Sequence, residues 1–281
     1  MNFVKLEGLG NDFVLIDGQK EKLEGIDLNS LAIKICDRHF GIGADGLLVV
    51  TPSKKADIQM RVFNPDGSEP EMCGNGIRCA AKYVYETAEP KKELISVETL
   101  AGVMLPSILE HRGDAAIVEV DMGTPVLKRS KIPMRGKDSP RVIGEDLKID
   151  GETFTVTCVS MGNPHCVIFV DDINKVELGK WGPKIESHSS FPKRTNVEFA
   201  QAVSNGEAIV KVWERGAGET LACGTGACAT LVAGVLNNKL GRKAIIDLPG
   251  GKLECEWIEN DHVLMRGPAM TVFTGKYHIS A

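Results

Sequence analysis

Cys73-Gly74-Asn75-Gly76 returns 150 positions later as Cys223-Gly224-Thr225-Gly226. Each quartet stands between an extended segment and a helical pattern, so each cysteine sits at a helix mouth. There the backbone N–H groups have no intrahelical partner and the helix dipole is positive. That setting favours thiolate and moves a thiol pKa from about 8.5 toward neutrality, the range a general base needs. The glycines let the backbone come close to an anion, such as a carboxylate, bound at the same terminus. A lone cysteine of this kind is usually a small buried hydrophobe. Two in matched settings, one in each half, imply a paired role. One thiolate removes a proton from one face of a carbon while the other thiol delivers a proton to the opposite face, inverting the centre.

Outward from the quartets, further blocks repeat in the same order. Gly10-Asn11 corresponds to Gly162-Asn163, Val62-Phe63-Asn64 to Val212-Trp213-Glu214, Glu69 to Glu219, Gly102 to Gly251 and Gly123 to Gly267. Their steady register argues for an internal duplication. In the first half, strands are expected at Asn2–Leu6 and Phe13–Asp17 around the turn Gly8–Asp12. A helix Leu28–Phe40 follows, capped by Asn29 or Ser30 and stopped by Gly41. Strands Leu47–Val50 and Ala56–Phe63, a helix Gly76–Thr87, and strands Leu94–Glu98, Val103–Leu109 and Ala116–Asp121 complete that half.

Pro125–Pro140 reads as a linker. The second half has strands Phe154–Ser160 and Cys166–Val170, and a helix Ala227–Leu236 that is apolar all round. Too short to span a membrane, this helix must be enclosed by protein. The C-terminal strand Thr271–Ile279 is expected to return to the first half.

These elements predict an α+β fold of two pseudo-symmetric domains. Each is a curved β-sheet or barrel wrapped around a central helix, with the active site in the cleft between them. The first domain covers 1–122, completed by strand 268–281, and the second covers 123–267.

With 281 residues, a net charge of −5 and interspersed acids and bases, the chain carries no basic run for a nucleic acid. It shows no signal segment and no span, so a cytoplasmic location and a small-molecule substrate are expected. The eight cysteines form no Cys-x-x-Cys pair, against a zinc ribbon or a redox dithiol, and the six histidines are scattered. Cys36, Cys79, Cys158, Cys166, Cys228 and Cys255 lie in apolar or helical segments and read as core.

The quartets, together with Gly8-Leu9-Gly10-Asn11-Asp12-Phe13, Ser160-Met161-Gly162-Asn163-Pro164-His165, Glu214-Arg215-Gly216-Ala217-Gly218-Glu219-Thr220 and Asp247-Leu248-Pro249-Gly250-Gly251, resemble the diaminopimelate epimerase family along essentially the whole chain. The resemblance implies a pyridoxal-independent epimerase that interconverts L,L- and meso-diaminopimelate in lysine and cell-wall precursor synthesis. It implies no metal or other cofactor, and a homodimer.

In the family the two thiols are the base and acid pair, so Cys73 and Cys223 take those roles by resemblance. Gly74, Asn75, Gly224 and Thr225 would hold the reacting carboxylate through backbone amides. Asn11, Asn64, Asn163, Asn196, Glu214 and Arg215 match positions that bind the amino acid, including its distal end, and Arg215 suits a carboxylate. His165 and Glu214 match polar residues near the reacting centre. Taken alone, His165 reads as structural and Glu214-Arg215 as a surface ion pair. Some members carry glutamine where Gly46 stands, so a contact made there is absent or made by water.

Three other readings compete. A proline or hydroxyproline racemase would share the thiols without the asparagines and Arg215. A dithiol redox or metal protein would need clustered ligands, and a binding module has no need of two matched thiols.

Overall fold

In the computed structural model, which describes residues 1–278, the chain divides into two units. One is Met1–Val120 together with the chain from Arg266 onward, and the other is Asp121–Met265.

In the first unit, β1 (Asn2–Gly8) and β2 (Asn11–Asp17) form an antiparallel hairpin. Helix α1 (Leu28–Cys36) then crosses to β3 (Gly46–Thr51), which runs parallel to β2. β3 pairs antiparallel with β4 (Ile58–Phe63), α2 (Gly74–Thr87) crosses to β5 (Val97–Thr99) parallel to β4, and β5 pairs antiparallel with β6 (Gly102–Met104). A second hairpin, β7 (Ser107–Arg112) with β8 (Ala115–Asp121), follows.

The second unit opens with the hairpin β9 (Val142–Ile149) and β10 (Glu152–Ser160). β10 pairs antiparallel with β11 (Pro164–Phe169), and α3 (Leu178–Glu186) crosses to β12 (Asn196–Ser204), parallel to β11. β12 turns antiparallel into β13 (Glu207–Glu214), which carries the short β14 (Gly218–Thr220). Helix α4 (Gly224–Leu236) crosses to β15 (Lys243–Leu248), parallel to β13, and β15 pairs antiparallel with β16 (Gly251–Trp257). β17 (Val263–Lys276) returns to the first unit, where it pairs antiparallel with β1.

From β1 in one unit and β10 in the other, the pairing runs antiparallel, parallel, antiparallel, parallel, antiparallel. A parallel join needs a crossover, and a helix makes each one at the same place in both units. This is the expected duplication, an α+β fold with a central helix in each half.

Helix α4 is buried at nearly every position because Ala, Cys, Gly and Thr let β10, β11, β12, β15 and β16 close around it. Gly234 is required by that closeness, since a Cβ there would fall 2.5 Å from Leu240 Cδ1. Helix α2 is more polar. Besides Ile77, Cys79, Ala80 and Ala81 it buries Arg78 and Lys82. Buried cations are costly unless satisfied. Arg78 donates to the carbonyls of Pro268 (3.1 Å) and Gly74 (3.2 Å), and Lys82 to Glu86 and Thr271 Oγ1, both at 2.6 Å.

Several expectations are corrected. Helix α1 ends at Cys36 rather than Phe40, because the Asp37 carboxylate takes the N–H groups of His39 and Phe40 (2.7 Å each) and closes a turn there. Its cap is Asp27, not Asn29 or Ser30. Val103–Leu109 is two strands, interrupted at Leu105-Pro106 where proline has no N–H for the ladder. Pro125–Pro140 is not a linker: Ile132 and Met134 join the second unit's core, and Val126 bridges Ser160. β9 and α3 were not anticipated. Ile279, the expected end of the last strand, lies outside the described residues.

Candidate active site

Two helix mouths carry the candidate chemistry, one in each unit. At α2 the N-cap is Cys73, in extended conformation (φ −134°, ψ 117°), and its sulfur accepts a hydrogen bond from Gly76 N at 3.4 Å. A thiol thus fills the place a serine or aspartate usually holds at a helix start. Beside it, Asn75 Nδ2 donates to Asn11 Oδ1 (3.0 Å), and Asn11 Nδ2 donates to Asp45 Oδ2 (3.0 Å). So Asn11 and Asn75 meet at the mouth.

A charged lattice holds them. Arg38 bridges Asp12 and Asp45 (2.8 Å to each), and the buried Lys5 ammonium pairs with Asp12. Burial acts to raise the Asp12 pKa, but the hydrogen bonds from Arg38 and Lys5 outweigh it and hold the carboxyl at about 2. Asn64 lies in its own turn after β4, bonded to Ser68. Gly46 has the Phe13 ring and the Phe63 carbonyl 3.1 Å from where a Cβ would stand, so a side chain would enter packed core.

At α4, Cys223 has nearly the same backbone (φ −124°, ψ 108°), but its neighbourhood differs. It is buried, its sulfur lies 3.5 Å from Thr225 Oγ1, and burial followed by the nearby Glu214 pushes its pKa well up. Asn163 Nδ2 donates to Thr225 Oγ1 at 3.2 Å, and Asn163 Oδ1 lies 2.9 Å from His165 Nε2. His165 Nδ1 in turn lies 2.6 Å from Glu198 Oε1, with both residues fully buried. Asn163, His165, Thr225 and Cys223 are therefore one connected group.

Asn196 supports the next turn. Its Nδ2 donates to Pro164 O (2.8 Å) and its Oδ1 accepts Arg215 N (2.9 Å). The Arg215 guanidinium is exposed and reaches Lys193 O, and Glu214 accepts from Thr220 Oγ1 at 2.7 Å. Glu214 and Arg215 make no ion pair with each other among the described residues.

Two carboxylates that support the α4 half-site escaped the sequence reading. Glu198 stands two residues after Asn196 on β12, and strand alternation puts both on one face. That spacing was the available signal. Glu186, at the end of α3, accepts from Trp213 Nε1 (2.8 Å) and Gly216 N (3.0 Å), so it fixes the turn carrying Arg215. Among the described residues no cluster of His, Cys, Asp and Glu is arranged to hold a metal ion, and no helix is long and apolar enough to cross a membrane.

The family model for diaminopimelate epimerase matches residues 3–128 and 157–272, segments that contain both helix mouths. The diaminopimelate epimerase of Pelotomaculum thermopropionicum is 57% identical over 277 residues, covering 99% of both chains. The chain belongs to the diaminopimelate epimerase family. Membership makes it an isomerase. The Moorella thermoacetica diaminopimelate epimerase is 55% identical over 278 residues, again covering 99% of each chain.

Solved structures share the fold at lower identity. A phenazine biosynthesis protein of the PhzF family from Bacillus anthracis superposes with TM-score 0.70 at 16% identity, covering 99% of each chain. A hydroxyproline epimerase from Agrobacterium vitis superposes with TM-score 0.66 at 12% identity, covering 98% of this chain and 90% of that one. Outside the matched segments the family model skips 129–156, the stretch that contains β9.

Proposed function

We propose that this family member interconverts L,L- and meso-diaminopimelate by two-base chemistry without pyridoxal phosphate, in lysine and peptidoglycan precursor synthesis. The observation that carries the reading is the recurrence of a cysteine at the mouth of the central helix in both units, inside segments that match the family. The α-proton of an amino acid is a very weak acid, so the carbanion has to be stabilised by preorganised donors in a site that excludes water. Two helix N-termini are suited to this, provided both reach the carboxylate of one substrate. Cys73 as thiolate then removes the proton from one face while Cys223 as thiol protonates the other, and the roles exchange in the reverse direction.

In this reading the backbone amides of Gly74, Asn75, Gly224 and Thr225 bind the reacting carboxylate. Asn11, Asn64, Asn163, Asn196 and Arg215 bind the remaining polar groups, with the exposed Arg215 guanidinium on the distal carboxylate. His165 and Glu214 act beside the reacting centre. Each half, 1–122 with 268–281 and 123–267, supplies one thiol. The enzyme works in the cytoplasm as a homodimer, a state supported by the exposed apolar side chains Leu100, Val103, Leu105, Leu109, Met270 and Val272 of the first unit.

The substrate is tested by incubating the full chain separately with L,L-diaminopimelate, L-proline and trans-4-hydroxy-L-proline and resolving the stereoisomers. Formation of meso-diaminopimelate alone is expected. Epimerisation of either imino acid with none of diaminopimelate would overturn the assignment.

A further inference from the structure

Four contacts join Glu198 to the Cys223 sulfur: Glu198 Oε1 to His165 Nδ1 (2.6 Å), His165 Nε2 to Asn163 Oδ1 (2.9 Å), Asn163 Nδ2 to Thr225 Oγ1 (3.2 Å) and Thr225 Oγ1 to Cys223 Sγ (3.5 Å). With His165 neutral and the Asn163 amide as placed, the donors give all four contacts one consistent direction. An amide oxygen only accepts, so His165 Nε2 carries a hydrogen toward Asn163. A neutral imidazole has one N–H, which leaves Nδ1 as an acceptor facing Glu198. Asn163 Nδ2 only donates, so it occupies a lone pair of Thr225, and the threonine hydrogen is then available to the sulfur.

We propose that Glu198 is a positioning residue for Cys223. Holding its own proton, it donates to His165 Nδ1 and so sets the direction of a relay whose last donor, the Thr225 hydroxyl, points at the sulfur. The inference rests on the reading of Cys223 as an acid and base, and adds a residue to that half-site.

Two observations support a protonated Glu198. It is fully buried, and its other oxygen, Oε2, makes no hydrogen bond among the described residues, which suits a neutral carbonyl and not half of an anion. Burial also pushes its pKa up against the opposing pull of His165. The Thr225 hydrogen bond favours thiolate at a sulfur that burial drives toward thiol. Reversing the relay would place His165 Nδ1–H on a Glu198 carboxylate, turn the Asn163 amide over, and leave Thr225 accepting from the thiol. That arrangement would hold Cys223 protonated.

The test compares wild type with Glu198→Gln and Glu198→Leu in the full chain. The nitrogen signals of labelled His165 are assigned by their loss in His165→Gln, and kcat and KM are measured for L,L-diaminopimelate. Wild type is expected to show a protonated Nε2 and a bare, hydrogen-bonded Nδ1. Glutamine can donate through its amide with its carbonyl where Oε2 stands, so Glu198→Gln should keep that tautomer and most of the rate. Leucine fills the space without a donor, and kcat should fall on the order of 10–100-fold, the range found when the partner orienting a metal-bound histidine is removed, with KM little changed.

A protonated Nδ1 in wild type would overturn the proposal, as would full activity in Glu198→Leu or a rate in Glu198→Gln as low as that of Glu198→Leu. If the leucine variant does not fold, the glutamine variant and the wild-type tautomer decide. If wild type epimerises no diaminopimelate, the functional reading fails, while the His165 signals still decide the direction of the relay.

Discussion

Gly226 faces the Glu198 carboxyl with no room between them for a methyl group: a Cβ at 226 would lie 2.8 Å from Glu198 Oε1 and 3.4 Å from Cys223 Sγ. Its counterpart Gly76 is similarly close to Cys73, with a Cβ 3.5 Å from that sulfur, but its nearest neighbour is the Leu48 side chain, at 3.0 Å. Substituting Gly226→Ala presses a methyl onto a fully buried group that is tied to His165. The change should destabilise the fold by about 1–3 kcal/mol, as overpacking does, and lower kcat by displacing Cys223. Thermal unfolding and steady-state rates on the same preparation check both effects.

The thiol cap separates stability from chemistry. Cys73→Ala removes the acceptor for Gly76 N and should cost about 1 kcal/mol, the usual cost of losing an N-cap. Cys73→Ser restores a good cap and should recover that stability without recovering epimerisation, since a serine hydroxyl is far too weak an acid to serve as the base. A serine variant with substantial activity would count against a thiolate role for Cys73.

The lattice around Asn11 should be sensitive to acid. Asp12 is held at about 2 in the folded protein, below its unfolded value, so the stability it contributes is present above pH 4 and is lost as pH falls toward 2. Asp12→Asn removes this pH dependence and leaves the buried Lys5 without its carboxylate, at a cost of about 3 kcal/mol, the low end for breaking a buried pair. Denaturant unfolding between pH 2 and 7 in both proteins measures it. KM should rise too, because Asp12 and Asp45 together position Asn11.

Buried thiols set the alkaline limit. Burial raises Cys36 and Cys79 to about 12, and Cys223 is raised as well. A folded-state pKa above the unfolded one gives stability that is intact below the ordinary thiol value and declines as pH rises past it. Between about pH 9 and 12 the unfolding free energy should fall by up to about 1.4 kcal/mol per pH unit for each such thiol. Cys79→Ala should make this slope shallower by one thiol's share, whatever its effect at neutral pH.

What the sequence disclosed depended on how locally each feature is encoded. Helix α4 was legible because Ala227–Leu236 has no polar face, and its capping cysteine because Gly224 and Gly226 follow it. Helix α3 went unread, and Gly179, Gly182 and Pro183 are the poorest helix formers within it. Gly182 is needed because Trp213 packs 2.6 Å from where a Cβ would stand, and Pro183 sits inside the helix. The hairpin β9–β10 was missed in its first strand because Gly144, Glu145 and Asp146 interrupt the apolar pattern.

Glu198 was not anticipated because no strand was read over 196–204, and a lone glutamate is ordinarily exposed. Its burial depends on His165, which lies 33 positions away in sequence and is brought beside β12 only by the parallel pairing of β11 with it. The Asn11–Asn75 and Asn163–Thr225 contacts are likewise pairings across the fold that no local pattern specifies.

The central claim is that the two capping thiols remove and return one proton. The most direct measurement follows α-hydrogen exchange of L,L-diaminopimelate in deuterated water with wild type, Cys73→Ala and Cys223→Ala. Wild type should form meso-diaminopimelate carrying one solvent deuteron at the inverted carbon, and neither variant should epimerise. Undiminished epimerisation in either variant would contradict the account.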